Sequence, residues 1–335
     1  MKHKILILLL VTGFILSMGV LVGSASLSFW DVLEIFAHKL WGTETSASSA
    51  EITIVWNIRL PRVILSFLVG GALAVSGTVA QSILQNPLAS PYTLGVSSGA
   101  SFGAAVVILY GLHFSLFPAL SQIFFAFLFG VGTIFLVLGM SYKVDHTLSN
   151  TSVVLTGMVV SLFFSGLLTT LLALSSQDAN KMIQWSMGSF ALRGWAYIKL
   201  LLPFLSLGLL HSLWIAKELD LFSFGEKEAQ SMGMNSTKVK IFAFFNMAMM
   251  TGACIAITGT IGFVDLIAPH ISRKWVGNRH IALIPTSFFI GGSFMTATDT
   301  VARSIISPSE LPVGAVTALL GAPFFFVVYQ GRKGK

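Results

Sequence analysis

Four ionisable residues lie in or beside long apolar segments, where charged side chains are costly and are usually paired or functional. Apart from Asp265, five residues earlier, His270 has no histidine or carboxylate near it at a spacing suited to a metal ligand. We therefore expect a structural hydrogen bond here and no metal site. Asp299 and Arg303 are four residues apart, which places them on one face of a helix. We interpret them as a structural ion pair that orients Arg303.

Residues for covalent chemistry do not form a catalytic set in this sequence. The motif G-x-x-x-x-G-K-[ST], which holds nucleotide phosphates, does not occur, and the single Gly-Lys pair stands at the end of the sequence. The one cysteine, Cys254, lies in an apolar run and is expected to be a packing residue. Paired acids, a histidine cluster or a Ser/Lys pair, which an intramembrane enzyme would need, are not found. We predict a chain without catalytic residues or a cofactor of its own.

The composition is that of a membrane protein with many spans. Of 335 residues, 55% are hydrophobic and 10% charged, against about 25% charged in soluble domains. Backbone groups in lipid must be satisfied within the spanning segment, so we expect helices of about 20 residues. We predict a single all-α membrane domain, residues 1–335, with about ten spanning helices. They are 5–24, 61–84, 92–112, 115–140, 152–174, 197–216, 239–261, 282–303, 312–330 and a shorter piece, 263–276, interrupted at Pro269.

The N-terminal segment and the distribution of basic residues set the predicted orientation. The first apolar run, 5–22, has 18 residues, which suits a spanning anchor better than a cleaved signal of about 7–15 apolar residues. If every segment crosses and the N-terminus is inside, thirteen of the 20 Lys and Arg residues lie inside and seven outside. Loops rich in Lys and Arg stay on the cytoplasmic side. Both termini are therefore predicted to be cytoplasmic.

A weak internal repeat is visible in the apolar segments. AVSGTV at 74–79 and AITGTI at 256–261 are alike at every position, and at the same offset of 182 Pro87 falls on Pro269 and Gly95 on Gly277. The two copies would cross the membrane in opposite directions. Inverted repeats are typical of transporters, with the path beside interrupted helices. We predict repeat halves of about 59–174 and 236–330, with Pro87, Pro91 and Pro269 as the interruptions.

Glycines recur every fourth residue after the polar turn near position 90. Gly95, Gly99 and Gly103 share one helix face, with Ser97, Ser98 and Ser101 nearby. Small residues let two helices approach closely, so plain packing explains the strip. The alternative is that this helix also borders a substrate path.

Longer stretches of the sequence resemble the FecCD-type permeases, the membrane subunits of bacterial ATP-driven importers for iron–siderophore complexes, haem and cobalamin. The matching stretches are RLPRVILSFLVGGALAVSGTVAQSILQNPLASPYTLGVSSGASFGA (59–104), WSMGSF (185–190), GEKEAQSMGMN (225–235), GFVDLIAPHISRKWVGNRH (262–280), ATDTVAR (297–303) and ELPVGAVTALLGAPFFFVV (310–328). They cover most of the chain in the family's order.

The resemblance implies a function and a set of partners. It implies a ten-helix permease of the bacterial cytoplasmic membrane that pairs with a second permease chain, alike or different. Two ATPase subunits, which carry ATP and Mg, would bind on the cytoplasmic side, and a substrate-binding protein on the other. The cargo would be an iron–siderophore chelate, with cobalamin or haem as alternatives. A secondary transporter driven by an ion gradient is the remaining alternative; it would need ionisable residues in mid-span, which only the two aspartates approach.

Three arginines receive a docking role from the resemblance. Arg59 and Arg62 flank Pro61 at the start of one span, and Arg303 ends another. Arginine offers a bidentate fork to a carboxylate, so these residues would hold acidic groups of the binding protein. The alternative is that they anchor helix ends at the lipid headgroups.

The polar segment 217–238 receives the ATPase-coupling role. Glu226 to Met232 can form a short helix, which Gly225 precedes and Gly233, with Asn235, ends. By resemblance this helix would fit a groove on the ATPase. We expect Gly225, Glu226, Ala229, Met232 and Gly233 to matter, the small residues for close approach and the methionine for an apolar pocket.

Two polar turns receive a gating role from the resemblance. Asn86 and Leu88 belong to the first interrupted turn, and Ser149, Asn150 and Thr151 lie between two predicted spans. Together with Gly95, Ser98 and Gly99 they would form the gate and the translocation path. Ser149 and Asn150 are also good helix N-caps, which is the alternative interpretation.

Overall fold

The computed structural model describes residues 2–23, 27–112, 114, 118–175, 179–307 and 309–330. Within these residues the regular structure is entirely helical. The α-helices are α1 (Lys2–Leu21), α2 (Phe29–Trp41), α3 (Ser49–Thr53), α4 (Leu60–Ile83), α5 (Val96–Tyr110), α6 (Pro118–Val144), α7 (Asn150–Leu174), α8 (Ala179–Ser186), α9 (Trp195–Trp214), α10 (Ala216–Phe222), α11 (Glu226–Ser231), α12 (Ser236–Thr258), α13 (Val264–Val276), α14 (His280–Ser304) and α15 (Val313–Gln330). A π-helical stretch, Ile54–Arg59, joins α3 to α4, and a 3₁₀ turn, Pro91–Leu94, precedes α5.

Seven helical stretches of the described chain are long and apolar enough to cross a membrane. They are His3–Leu21, Ser49–Ile83, Leu120–Val144, Asn150–Leu174, Trp195–Trp214, Ser236–Thr258 and His280–Ser304. Helices α5 and α15 are apolar but shorter, and α13 has 13 residues. Each predicted segment thus contains a helix, while the count of ten spans stays a prediction. Residues 115–117, the predicted start of one span, lie outside the described residues.

The second predicted span is longer than its apolar run because a capping box starts it early. Ser48 accepts a hydrogen bond from the Glu51 backbone amide, and the Glu51 carboxylate accepts one from the Ser48 backbone amide. Helical structure then runs from Ser49 to Ile83 and includes Pro61. Pro61 comes just after the π-helical stretch, where amides bond to carbonyls five residues back, so its missing amide removes the bond that the Trp56 carbonyl would accept. The Trp195 indole Nε1 donates to that carbonyl at 3.0 Å and compensates for the loss.

Glycines bring two pairs of long helices into close contact. A Cβ on Gly70 of α4 would stand 2.4 Å from the Gly291 carbonyl oxygen of α14. A Cβ on Gly103 of α5 would stand 2.4 Å from the Phe125 carbonyl oxygen of α6, and one on Gly99 would strike Thr133. The glycine strip of α5 therefore packs against α6, as the packing interpretation predicts.

Two interruptions of the helices face each other inside the fold. The chain leaves α4 through Gln85, at φ 49°, and re-enters a helix at Gly95, at φ 87°. The second interruption lies between α12 and α13 at Gly259 and Phe263, with φ values of 77° and 71°. The Tyr92 hydroxyl donates to the Ile261 carbonyl at 2.6 Å and so links the two breaks.

The prediction that Pro269 interrupts a helix is wrong, because α13 continues through Pro269. Proline removes the amide that would bond to the carbonyl four residues earlier, that of Asp265. The Gln81 side chain of α4 donates to this carbonyl at 3.2 Å and restores its partner. A side chain from a neighbouring helix thus lets α13 continue through its proline.

The repeat motif does not occupy equivalent local structure in its two copies. Residues 74–79 lie inside α4, whereas 256–261 run across the end of α12, where Gly259 has a left-handed φ. Gly95 precedes α5 and Gly277 follows α13. An offset of 182 residues therefore does not align equivalent helical positions, and the inverted repeat stays a prediction.

Candidate functional site

The arginine cluster consists of Arg59, Arg62, Asp299, Arg303 and Glu310. Arg62, on the first turn of α4, donates through Nη2 and Nε to the Asp299 carboxylate of α14 at 2.8 and 2.9 Å. It also donates through Nη1 and Nη2 to Glu310, in the turn before α15, at 2.8 and 2.9 Å. One guanidinium therefore joins α4, α14 and the approach to α15 by bidentate bonds to two carboxylates.

The other two arginines of the cluster cap α1. Arg59 donates to the carbonyls of Val20 and Leu21 at 3.2 and 2.9 Å, and Arg303 donates to the carbonyl of Gly19. The last carbonyls of a helix have no partner within it, and cations there are favoured by the helix dipole. The end of α1 is thus fixed by two helices distant in sequence.

These contacts correct one sequence prediction, the pair of Asp299 with Arg303, and describe the resting state of the arginines predicted to dock a partner. Asp299 bonds to Arg62, and the predicted pair with Arg303 is not formed in this structure, because the Arg303 side chain turns to α1. Arg59, Arg62 and Arg303 are only 4%, 6% and 6% exposed, so none presents an open fork to a partner in this conformation. Arg59 and Arg303 bind carbonyls of α1, so the alternative of anchoring at lipid headgroups also stays a prediction. Docking stays a proposal that requires the cluster to open.

The coupling segment folds as predicted into a short helix bounded by glycines. Gly225 precedes α11 at φ 119°, and Gly233 follows it at φ 88°. The Gly233 amide donates to Gln230 O at 2.9 Å and the Met234 amide to Ala229 O at 3.2 Å, the paired bonds of a Schellman motif. Asn235 belongs to the next helix instead: its side chain accepts from the Lys238 amide and caps α12.

The predicted coupling residues divide into an inner and an outer group. Ala229 lies on the inner face of α11 and is fully buried, so its small side chain packs within the chain and is not exposed to a partner in this conformation. Met232 is 62% exposed, and Gly233 is exposed with open space around the position of a Cβ. The outer end of α11 is therefore the part that offers an apolar side chain and a small residue to a partner.

Glu226, the first residue of α11, contacts a cation that sequence reasoning missed. Its carboxylate accepts from Lys240 Nζ of α12 at 2.7 Å, and Lys240 also donates to the Leu148 carbonyl at 2.8 Å. No spacing rule connects positions 14 and 92 residues apart. The available signal was a lysine within the predicted span 239–261, where a buried charge is costly.

The loop between α6 and α7, residues 145–149, is ordered by its own side chains. The Asp145 carboxylate accepts from the Thr147 amide and hydroxyl at 2.9 and 2.6 Å, and from the Ser149 amide at 3.1 Å. These bonds favour the charged form and hold the pKa of Asp145 well below its usual range. Ser149 caps α7, as the alternative interpretation predicts.

The remaining gate residues lie at two separate turns. Asn86 and Leu88 are exposed, and the Asn86 side chain accepts from the Leu88 amide at 2.9 Å. Asn150 is the first residue of α7. Thr151 lines a cavity of about 460 Å³ between α6 and α7, together with Ser149 and residues at 140, 144, 145, 152, 155, 156 and 159.

Helix α5 carries three residues of the predicted path, whose place in the path stays a prediction. Gly95 and Gly99 are buried against Thr133 of α6 and do not face open space, while Ser98 is half-buried. Their positions follow from helix packing.

Comparison with known proteins supplies the family. The model of the FecCD transport family matches residues 8–330. A solved structure described as an inward-facing conformation of a metal-chelate type ABC transporter is similar over 98% of this chain and all of that one, with a TM-score of 0.86 and 32% identity.

Three curated relatives match most of this chain in sequence. The molybdate import system permease MolB of Haemophilus influenzae is 36% identical over 98% of this chain and 95% of its own. The hemin transport system permease HmuU of Yersinia pestis is 35% identical over 94% of each chain. The Fe(3+) dicitrate permease FecD of Escherichia coli is 34% identical over 84% of this chain and 87% of its own.

Proposed function

The chain belongs to the FecCD transport family and is a permease of the ABC-importer type; we propose that it moves an iron–siderophore-type metal chelate into the cytoplasm. Support for the cargo comes from relatives named for hemin and Fe(3+) dicitrate and from the metal-chelate type of the similar structure. Transport of such a cargo needs alternating access and no covalent chemistry in this chain.

The observation that carries the coupling part of the proposal is the form of α11. It is held from below by the buried Ala229 and by the Glu226–Lys240 ion pair, and it exposes Met232 and Gly233. A helix fixed on its inner side and open on its outer side can be gripped and moved by a motor subunit. We propose that two ATPase chains bind here and supply the ATP and Mg, and that a second permease chain completes the path.

The proposed orientation places both termini in the cytoplasm of a bacterium whose cytoplasmic membrane holds the protein. Lys4 at the start of α1 donates to the Trp275 carbonyl at the end of α13, at 2.7 Å, which puts two segments predicted to be inside next to each other. The arginine cluster lies at the other end of α1. It would face the substrate-binding protein, which opens the cluster when it docks. Arg332, Lys333 and Lys335, which the orientation count includes, lie outside the described residues.

Other cargoes and another energy source are the alternatives. The molybdate relative supports an oxyanion as a second candidate, and relatives named for hemin and cobalamin support these two. An ion-coupled transporter would need a titratable group free to bind and release a proton or an ion. Asp299 is paired with Arg62 and is not in that position. Asp265 is buried and accepts from the Ser90 hydroxyl, so it is the group on which the ion-coupled alternative rests.

A variant of Gly233 tests the coupling role together with the cargo. Uptake of labelled ferric siderophores, haem, cobalamin and molybdate is compared in cells lacking the gene, with the gene restored, and with Gly233→Arg. We expect one cargo to be lost and restored by the natural chain but not by Gly233→Arg, which adds bulk at the exposed end of α11 and strains a positive φ. Gly233→Asn is the matched control, because asparagine tolerates this φ.

Three outcomes decide between the alternatives. Rescue by Gly233→Asn and failure of Gly233→Arg, with both variant chains present in the membrane at the level of the natural chain, supports contact between α11 and the ATPase. Full rescue by Gly233→Arg contradicts it. Restoration of molybdate uptake alone would replace the iron chelate as cargo and leave the importer architecture in place.

A further inference from the structure

Lys240 is a fully buried cation between two segments that the proposed function assigns to different tasks. Its side chain is 0% exposed. One bond goes to Glu226, which begins α11, and the other to the carbonyl of Leu148 in the α6–α7 loop. A single ammonium group therefore touches the helix proposed to meet the ATPase and the loop proposed to gate the path.

The burial of this charge makes its contacts obligatory. A buried charge is tolerated only when it is paired and hydrogen-bonded, and removal of one partner is strongly destabilising. If α11 moved and the α6–α7 loop stayed, the ammonium would lose one of its two oxygens. The arrangement of lowest cost is one in which α11, the start of α12 and the loop move as a unit.

Each of the two segments is stiff enough to pass on such a movement. The loop holds Leu148 at φ 52° and is braced by the Asp145 carboxylate. Helix α11 is attached to α12 a second time, since Gln230 donates to the Ser236 hydroxyl at 2.6 Å. Gly225, which precedes α11 at a left-handed φ, lies at the edge of this rigid part and is its natural point of rotation.

We propose that Lys240 is the residue that transmits movement of α11 to the α6–α7 loop, and so links ATP use to opening of the path. This inference rests on the proposed function. It assigns Lys240 a positioning role: the lysine is fully buried and acts through Leu148 and Glu226.

The first test compares Lys240→Met with Lys274→Met in the complete importer, purified with its ATPase and binding protein and reconstituted in liposomes. Lys274, in the last turn of α13, is exposed and lies outside the coupling segment 217–238, which makes it the control for loss of a lysine charge. We expect Lys240→Met to keep ATP hydrolysis within about twofold while cargo transported per ATP falls about tenfold or more. Lys274→Met should leave both unchanged. Unchanged transport per ATP in Lys240→Met would overturn the proposal.

Exchange of the two charges tests whether Lys240 needs its bond to the Leu148 carbonyl as well as its ion pair with Glu226. The variant Glu226→Lys with Lys240→Glu restores the ion pair, but a carboxylate at position 240 cannot donate to the Leu148 carbonyl. We expect it to stay uncoupled, whereas Lys240→Arg, which retains charge and donors, recovers part of the transport per ATP. Full recovery in the exchanged variant would show that the ion pair alone matters and would overturn the role of Leu148.

A distance measurement keeps the proposal testable if Lys240→Met transports nothing at all. Spin labels are placed at Met232→Cys and His146→Cys, both exposed, in the natural background where the single cysteine is buried. We expect one narrow distance distribution through the ATP cycle in the parent chain and a broad one in Lys240→Met. Equal distributions in both would overturn the proposal. If the parent complex shows no ATP-driven uptake, the proposed function itself fails, which is a separate result.

Discussion

Replacement of Arg62 by methionine removes the cation that joins α4, α14 and the turn before α15. Asp299, whose side chain is 1% exposed, then keeps a carboxylate in the protein interior without its bidentate partner. Breaking a buried pair in this way costs about 3–5 kcal/mol of unfolding free energy. Glu310 can turn to water because its side chain is 37% exposed, so Glu310→Gln should cost less than about 1 kcal/mol.

The buried Cys254 gives a direct assay for this prediction. In detergent, a thiol-reactive dye labels it only when the chain opens, so the labelling rate follows the open population. A loss of 3–5 kcal/mol raises that population roughly a hundredfold or more. We expect Arg62→Met to label fastest and Glu310→Gln to resemble the natural chain.

A double variant tests whether the loss of unfolding free energy comes from the unpaired carboxylate of Asp299. Arg62→Met with Asp299→Leu removes both buried charges, and replacing a whole buried pair by apolar groups is often neutral or stabilising. The double variant should therefore label more slowly than Arg62→Met alone. If it labels faster, or if Glu310→Gln is as damaging as Arg62→Met, the buried pair is not the source of the effect.

Two further predictions concern α5 and the α6–α7 loop. Gly99→Val should destabilise the protein by about 1–3 kcal/mol through overpacking against Thr133. Gly132→Ala should not destabilise it, because a Cβ at position 132 meets nothing within 4 Å. Equal rates of dye labelling at Cys254 in the two variants would contradict this packing. The pKa of Asp145 is depressed in the folded protein, so its contribution to loop order is complete above about pH 4, the unfolded value, and is lost as pH falls further. A spin label at His146→Cys should show a constant spectrum from neutral pH down to that point, and a change between pH 6 and 8 would assign the titration to another group.

The sequence was most informative about features that depend on neighbouring residues. The apolar runs located the long helices, the glycines at 225 and 233 located α11, and Ser149 marked the start of α7. Each depends on hydropathy, capping or backbone conformation within a few residues. The FecCD resemblance, carried by longer stretches, is confirmed by the family match over residues 8–330.

Contacts between distant segments could not be read from the sequence. Arg62 and Asp299 are 237 residues apart, and Lys240 and Leu148 are 92 apart. The i, i+4 spacing favoured a pair of Asp299 with Arg303, but this spacing describes contacts within one helix only. In the structure Asp299 bonds to Arg62 of α4, and Arg303 bonds to a carbonyl of α1. The same limit explains Pro269, whose disruptive effect is offset by Gln81 from another helix.

The proposed function is tested most simply by uptake of a labelled ferric siderophore into liposomes that hold the purified permease with its ATPase and binding protein. We expect uptake that requires ATP and the binding protein, that is abolished by Gly233→Arg, and that is retained by Gly233→Asn. Uptake driven by an ion gradient without ATP would contradict the central claim that this chain is the permease of an ATP-driven metal-chelate importer.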